Sequence, residues 1–349
     1  MQLLAPAKIN LHLRVGPRRS DGFHSLLSWF ATVGLFDNLV LKQHSPAAGT
    51  PPGGTGAGSG AIAPKGMRDD AAASVTLECD MPDLPCDERN LVVKIALAFG
   101  REVKAADAPR IYPGNAGEGP DPHRSVGRGN VTAIRAKLQK RIPMGAGLGG
   151  GSSDAARTLL ALNQLWGVGW AADDLSAFAA RFGSDLPFFF HGPSSICRGR
   201  GEIVAPIGKP APRWVVLILP EVSMPTPDVY RTFDAMGLGR EADLSDEPDW
   251  ASWTKLSSLE LLPRLVNDLE RPAFAIAPQL GELRRRIERI AGRPVRMSGS
   301  GSSLFTLFDE EDAAKEASAR IVRDAGKRAP AVELSPSLRD DLNTAFALG

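Results

Sequence analysis

Residues 143–153 read Pro143-Met144-Gly145-Ala146-Gly147-Leu148-Gly149-Gly150-Gly151-Ser152-Ser153, five glycines within seven residues and then two serines. In the residues that follow, Ala155, Leu159, Leu162 and Trp166 recur at helical spacing. The pattern predicts a loop that gives way to a helix at the serines. Glycine has no Cβ, so such a loop reaches positive φ and lets a ligand approach its backbone. The first turn of a helix adds unpaired N–H groups and a partial positive charge. Loop and helix start together form a cradle for phosphate.

Three other readings compete. Gly/Ser linkers are flexible, but they rarely run straight into an amphipathic helix. Gly145, Gly147 and Gly150 also satisfy G-x-G-x-x-G, with Asp173 about where a ribose-binding acid would stand. That fingerprint belongs on the first strand-to-helix turn of a dinucleotide fold. Here it lies deep in the chain, behind the mixed polar residues 130–142. The Walker pattern needs Lys-Ser or Lys-Thr after its last glycine, and no lysine follows Gly151.

The bulk properties narrow the classes. A chain of 349 residues allows about two domains, and 43% hydrophobic residues suffice for real cores. A net charge of +1 gives no global field for nucleic acid or an anionic membrane. Phosphate recognition must therefore be local, and no nucleic-acid or membrane partner is expected. The cysteines Cys79, Cys86 and Cys197 show no zinc spacing and fit a reducing, cytoplasmic setting. No basic-then-apolar leader opens the chain, and no apolar run has the length of a membrane span.

Along the chain, Ile9, Leu11, Leu13 and Val15 alternate with Lys8, Asn10, His12 and Arg14. This is a strand with one apolar and one polar face, so Lys8 and Asn10 point the same way. On pattern alone Lys8 reads first as an ordinary solvated strand lysine. Asp21-Gly22 marks a tight turn. Phe23 and His24 at its exit are either a buried aromatic and its neighbour or a platform for a flat heterocycle. Residues 44–74 and 105–130 are rich in Pro, Gly, Ala and Ser and read as mobile surface insertions. Between them, residues 74–79 alternate like a strand and residues 90–99 look like a short helix. Residues 173–182 form a further helix by spacing. Asp185 follows Gly183-Ser184 and precedes an apolar, aromatic run, either as a turn residue or as a carboxylate partly removed from water. Pro206, Pro210 and Pro212 suggest a domain border. Residues 225–233, with Thr226 and Tyr230, read as a loop entering a helix. The arginines of residues 280–290 read as a solvated face. A second small-residue loop, residues 297–303, precedes a strand and is able to approach a phosphate.

Taken in order, the Lys/Asn strand, R-S-D-G-F-H, P-M-G-A-G-L-G-G-G-S-S, G-S-D-L-P-F-F, P-T-P, N-D-L-E and M-S-G-S-G-S-S resemble the GHMP kinase superfamily, and within it the 4-diphosphocytidyl-2-C-methyl-D-erythritol kinases. The resemblance covers nearly the whole chain except the two insertions. It implies an α+β fold of two domains. Residues 1–205 would be a ribosomal-protein-S5-domain-2-like nucleotide domain, and residues 206–349 a ferredoxin-like substrate domain. It further implies ATP and Mg²⁺ as cofactors and a cytidyl diphosphate polyol as acceptor, phosphorylated on its 2-hydroxyl in non-mevalonate isoprenoid synthesis. A monomer or weak homodimer is expected.

By the same resemblance Lys8 and Asp185 would be the catalytic pair, and residues 143–153 would wrap the ATP phosphates. His24 would read the cytosine edge between Phe23 and Tyr230. Relatives often carry Tyr at the position of Phe23, which keeps stacking and loses a hydroxyl. Asn10 and Thr226 would line the acceptor's diphosphate and alcohol region. Ser153 is the candidate metal ligand. A different small-alcohol kinase of the superfamily, a nucleotide-binding protein without turnover and a dinucleotide oxidoreductase are the other functions considered.

Overall fold

The structure, a computed structural model, describes residues 1–44, 74–105 and 129–337. Apart from their edges, both Pro/Gly-rich insertions lie outside the described residues. Strand β1 (Gln2–Arg18) turns at Gly22 (φ 84°) into the long antiparallel strand β2 (His24–His44). Strand β3 (Val75–Cys79) leads through helix α1 (Leu91–Ala105) to β4 (Ala133–Gln139), which runs parallel to β3 and antiparallel to β2. Helices α2 (Gly150–Leu165) and α3 (Ala172–Ala179) follow, then the hairpin of β5 (Ser194–Arg198) and β6 (Ile203–Pro206). Strand β2 carries β1 along one edge, and β4 and β5 at different heights along the other. The three helices close one core over this sheet, in which Phe99 stacks on Trp166 at 5.8 Å.

A second sheet begins with β7 (Trp214–Ile218). Helices α4 (Thr226–Ala235), α5 (Glu241–Ser245), α6 (Trp250–Trp253), α7 (Ser258–Leu261), α8 (Glu270–Ile276) and α9 (Pro278–Ala291) come next. Strands β8 (Arg296–Met297) and β9 (Leu304–Phe308), helix α10 (Glu311–Ala325) and strand β10 (Ala331–Glu333) complete it. The order is β10-β7-β9-β8, all antiparallel, with α9 and α10 as the two crossovers. This is the ferredoxin-like βαββαβ arrangement. The apolar residues Ala7, Ile9 and Leu11 of β1 share a core with Val215, Leu217, Phe305 and Leu307 of this sheet. Ser335 N–H donates to the Thr32 carbonyl at 2.8 Å and ties the chain back to β2.

Several local expectations are revised. The polar face of β1 is covered, not solvated: Lys8, Asn10 and His12 are 4%, 3% and 3% exposed. The glycine loop and Phe30 cover Lys8, Ser28 and Ser298 cover Asn10, and Trp250 and Trp253 cover His12. Residues 130–142, read as mixed and polar, contain β4, in which Ile134, Ala136 and Leu138 are buried and Arg135 and Lys137 exposed. A strand does stand ahead of the glycine loop, so position in the chain is not what excludes a dinucleotide site; the mainly antiparallel sheet is. Helix α2 starts at Gly150, ahead of the serines, and α1 runs on to Ala105. The arginine face of α9 is partly paired: Arg284 bonds Glu270 at 2.9 Å.

Candidate active site

The glycine loop lies between β4 and α2, at the seam of the two sheets. Gly147 has φ 76°, and a Cβ there would fall 2.2 Å from the Ser298 carbonyl oxygen. Gly149 has φ 66°, and its Cβ would fall 2.9 Å from Lys8 Cγ. Only glycine permits both contacts. The loop's carbonyls are taken up by neighbours. Lys8 N–H donates to Leu148 O at 2.9 Å, Ser303 N–H to Ala146 O at 3.2 Å, and Ser298 Oγ to Gly147 O at 3.0 Å. The residues 297–303 loop is thus a buttress of the glycine loop, while its Gly299 and Ser300 reach the same cleft. Among the described residues, no acceptor is found for the N–H groups from Gly145 to Ser152. A run of unpaired N–H groups ending in a helix N-terminus is an anion nest.

Lys8 and Asp185 meet beside this nest, with Nζ and Oδ2 3.2 Å apart. They come from the first strand and from the turn after α3, so only the tertiary fold joins them. The lysine is buried and the aspartate 32% exposed to the cleft. Lys8 Nζ also donates to Asn10 Oδ1 at 2.7 Å and lies 4.5 Å from the centre of the Phe30 ring. Asn10 Nδ2 donates to Ser28 Oγ at 2.9 Å, and Ser28 Oγ donates to the His12 carbonyl at 2.7 Å. This chain holds the ammonium in one place. Asn10 borders the cleft, but both ends of its amide are occupied within the protein.

The aromatic residues lie along the same cleft. Phe23 is 53% exposed, so it is not the buried half of a hairpin. The Arg200 guanidinium sits 5.0 Å from its ring centre. His24 is buried, with Nε2 2.8 Å from Asp234 Oδ1, and the Tyr230 ring lies 5.0 Å from the imidazole at 33°. Burial, and after it the charge of Asp185, pushes the Tyr230 phenol up from its ordinary pKa. Thr226 Oγ1 and Ser300 Oγ are 2.8 Å apart and join α4 to the buttress loop. All of these residues border one open cleft of 920 Å³ that also takes in residues 143–152.

Ser153 departs from expectation. It is fully buried and does not border the cleft, and its hydroxyl has no hydrogen-bond partner. Because α2 begins at Gly150, the helix turns Ser153 inward and leaves Ser152 as the hydroxyl at the cleft surface. Among the described residues there is no cluster of three or more His, Cys, Asp or Glu able to hold a metal.

Sequence reading missed one end of the cleft. Leu84, Pro85, Arg89, Asn90 and Leu91 line it, with Lys140. Asn90 bonds Pro85 O at 2.8 Å and accepts from Val92 N–H at 3.0 Å, which fixes this rim at the start of α1. The sequence placed Asn90 only at the start of a short helix. Asp37 was missed as well, though the signal existed: it shares strand parity with Leu35, Leu39 and Leu41, all buried.

The comparisons with known proteins agree with this geometry. The family model of the GHMP kinases N terminal domain matches residues 123–193, and that of the GHMP kinases C terminal matches residues 246–328. A 4-diphosphocytidyl-2-C-methyl-D-erythritol kinase of Thermus thermophilus is 36% identical over 317 residues, 91% of each chain. A crystal structure of 4-(cytidine 5'-diphospho)-2C-methyl-D-erythritol kinase superposes with TM-score 0.67 at 33% identity, covering 97% of this chain and 100% of that one. A homoserine kinase from Cytophaga hutchinsonii, 18% identical with TM-score 0.59 over 96% and 94% of the two chains, shares the fold. Among the described residues no helix is long and apolar enough to cross a membrane. A likeness sustained over 91% of both chains, on this fold and around this cleft, makes the chain a member of the 4-diphosphocytidyl-2-C-methyl-D-erythritol kinase family of the GHMP kinases.

Proposed function

We propose that this protein transfers the γ-phosphoryl group of ATP to the 2-hydroxyl of 4-diphosphocytidyl-2-C-methyl-D-erythritol, a step of non-mevalonate isoprenoid precursor synthesis. The observation that carries the reading is the Lys8–Asp185 pair, 3.2 Å apart at the edge of an anion nest. Phosphoryl transfer depends mostly on positioning and on neutralising charge. The N–H groups of residues 145–152 supply fixed dipoles for the phosphates and need no reorganisation. Asp185 takes the proton of the acceptor hydroxyl as its oxygen bonds to the γ-phosphorus and ADP leaves. Lys8 stabilises the growing charge on the oxygens in transfer. Asn10 serves chiefly to hold Lys8.

The acceptor's cytosine lies against Phe23 and Tyr230. Asp234 accepts from the Nε2–H of His24, so Nδ1 is the ring nitrogen left for a ligand. Nδ1 suits the 4-amino group of cytosine, a donor. Thr226 lines the polyol region. The apolar rim of Leu84, Pro85 and Leu91, with the Asn90 amide, suits the adenine of ATP.

Magnesium prefers one or two carboxylates together with phosphate oxygens. Asp185 is committed to Lys8 and the proton, so Ser152, at the cleft surface, replaces Ser153 as the hydroxyl that would hold the cation with the phosphate oxygens. Bound there, the cation would neutralise phosphate charge. The domain border is placed at residues 205/206, at the last residue of β6. The enzyme works in the cytoplasm as a monomer or weak homodimer, on small molecules and without a nucleic-acid or membrane partner.

A coupled ADP-release assay tests the reading, with the cytidyl acceptor, mevalonate and homoserine offered in parallel. ADP release that depends on the cytidyl compound alone is expected. Turnover of a simple alcohol with no response to the cytidyl compound would refute it.

A further inference from the structure

The glycine loop has a base as well as a crown. Lys140 stands just before it and Asp154 just after it. Lys140 Nζ bonds Asp154 Oδ2 at 2.8 Å and, in a shorter contact, Asp37 Oδ2. The other oxygen of Asp37 accepts from the N–H groups of Arg141 at 2.5 Å and Ile142 at 2.9 Å. Side-chain exposures of Asp37, Lys140 and Asp154 are 0%, 3% and 3%. The two sides of the base touch: a Cβ on Gly150 would lie 2.9 Å from Ile142 Cγ2 and 3.3 Å from Lys140 Nζ. One ammonium therefore joins β2, the segment entering the loop and the first turns of α2.

We propose that Asp37, Lys140 and Asp154 are a buried ionic clamp that closes the base of the glycine loop and sets its N–H groups for the phosphates of ATP. Three considerations support the clamp. A loop this rich in glycine loses about 1–2 kcal/mol of backbone entropy per residue when ordered, so a loop ordered in advance binds more tightly. The crown is held by bonds from Lys8, Ser298 and Ser303, but nothing in the crown fixes the spacing of the two chain ends. The triad does.

The third consideration is charge. The cluster has two carboxyl groups to one ammonium, which leaves no net positive charge to attract phosphate. A group placed to attract ATP would not be surrounded in this way. Asp37 and Lys140 are thus positioning residues that act through the backbone. Burial of an ion pair is a weak route to stability, so its place under the loop has another reason.

The clamp goes beyond the catalytic reading and depends on it only in using ATP as probe. The test compares the full chain with its Asp37→Asn and Asp154→Asn variants. Asp154→Asn keeps shape and an acceptor for Lys140, so it carries the test if Asp37→Asn fails to fold. Calorimetric titration with ATP should show binding weaker by about tenfold, the scale of about one residue's ordering entropy, while KM for the acceptor stays put. Hydrogen exchange without nucleotide should quicken at the Arg141 and Ile142 amides in Asp154→Asn, although that substitution touches neither. Unchanged ATP affinity and exchange in a folded variant would overturn the clamp. So would tighter ATP binding, since that would mean Lys140 reaches phosphate directly once released. Failure of the unaltered chain to bind ATP would sink the kinase reading instead.

Discussion

Replacing Asp185 by Asn removes a charge and a base and leaves the shape. At 3.2 Å from Lys8, the lost Coulomb term is about 5 kcal/mol at an effective dielectric constant of about 20. Water over the aspartate, 32% exposed, lowers the net value to a few kcal/mol. Loss of a general base typically slows turnover about 10²–10⁴-fold, or about 2.7–5.4 kcal/mol of transition-state stabilisation. Lys8 keeps its bond to Asn10 at 2.7 Å and the face of Phe30. The fold should thus lose only about 1–3 kcal/mol, the cost of weakening one buried polar contact. Steady-state kinetics by ADP release, varying ATP and acceptor separately, should show kcat reduced by that factor and both KM values little changed. A thermal melt of the same sample verifies that the variant is folded. A folded variant with ordinary kcat would take Asp185 out of the chemistry and remove the basis of the proposed mechanism.

Other outcomes follow from single contacts. Phe23→Ala should raise KM for the acceptor roughly 5- to 150-fold, because stacking on a base is worth about 1–3 kcal/mol; an effect on ATP instead would mean the two ends of the cleft are reversed. Gly147→Ala should weaken ATP and lower Tm more than Gly145→Ala. Both have positive φ, but only at Gly147 does the new Cβ meet a backbone oxygen, at 2.2 Å; equal losses would place the cost in backbone conformation alone. Burial raises the Asp154 carboxyl to about 7, with the charge of Asp37 adding to it against the pull of Lys140. In the unfolded chain the group titrates near pH 4, so the folded state binds the extra proton between about pH 4 and 7. Stability should fall as pH rises through that window and level off above it. Denaturant midpoints across pH 4.5–8 should show this slope in the unaltered chain and lose it in Asp154→Asn; equal slopes would place the titration elsewhere.

The sequence alone determined what depends on local chemistry. Five glycines before an amphipathic helix specify a loop with positive φ and free N–H groups wherever the chain places it. Alternation marked β1, and Asp21-Gly22 marked the turn that presents Phe23. Motif order identified the family, and with it Lys8 and Asp185 as partners to look for. Exposure was harder to read. Alternation says which residues share a face and is silent on what covers it, so the polar side of β1 looked solvated until the glycine loop, Ser298 and the Trp250–Trp253 pair were in place. The same limit hid β4, whose charged residues masked a buried row. A two-residue advance in the start of α2 turned Ser153 inward, because each helical residue rotates its side chain by about 100°. The union of Lys8 with Asp185, of His24 with Asp234, and of Asp37 with Lys140 and Asp154 was decided by tertiary structure alone. Ionic and hydrogen bonds act over about 3 Å, and no local pattern encodes which distant segments the packing of two sheets brings that close.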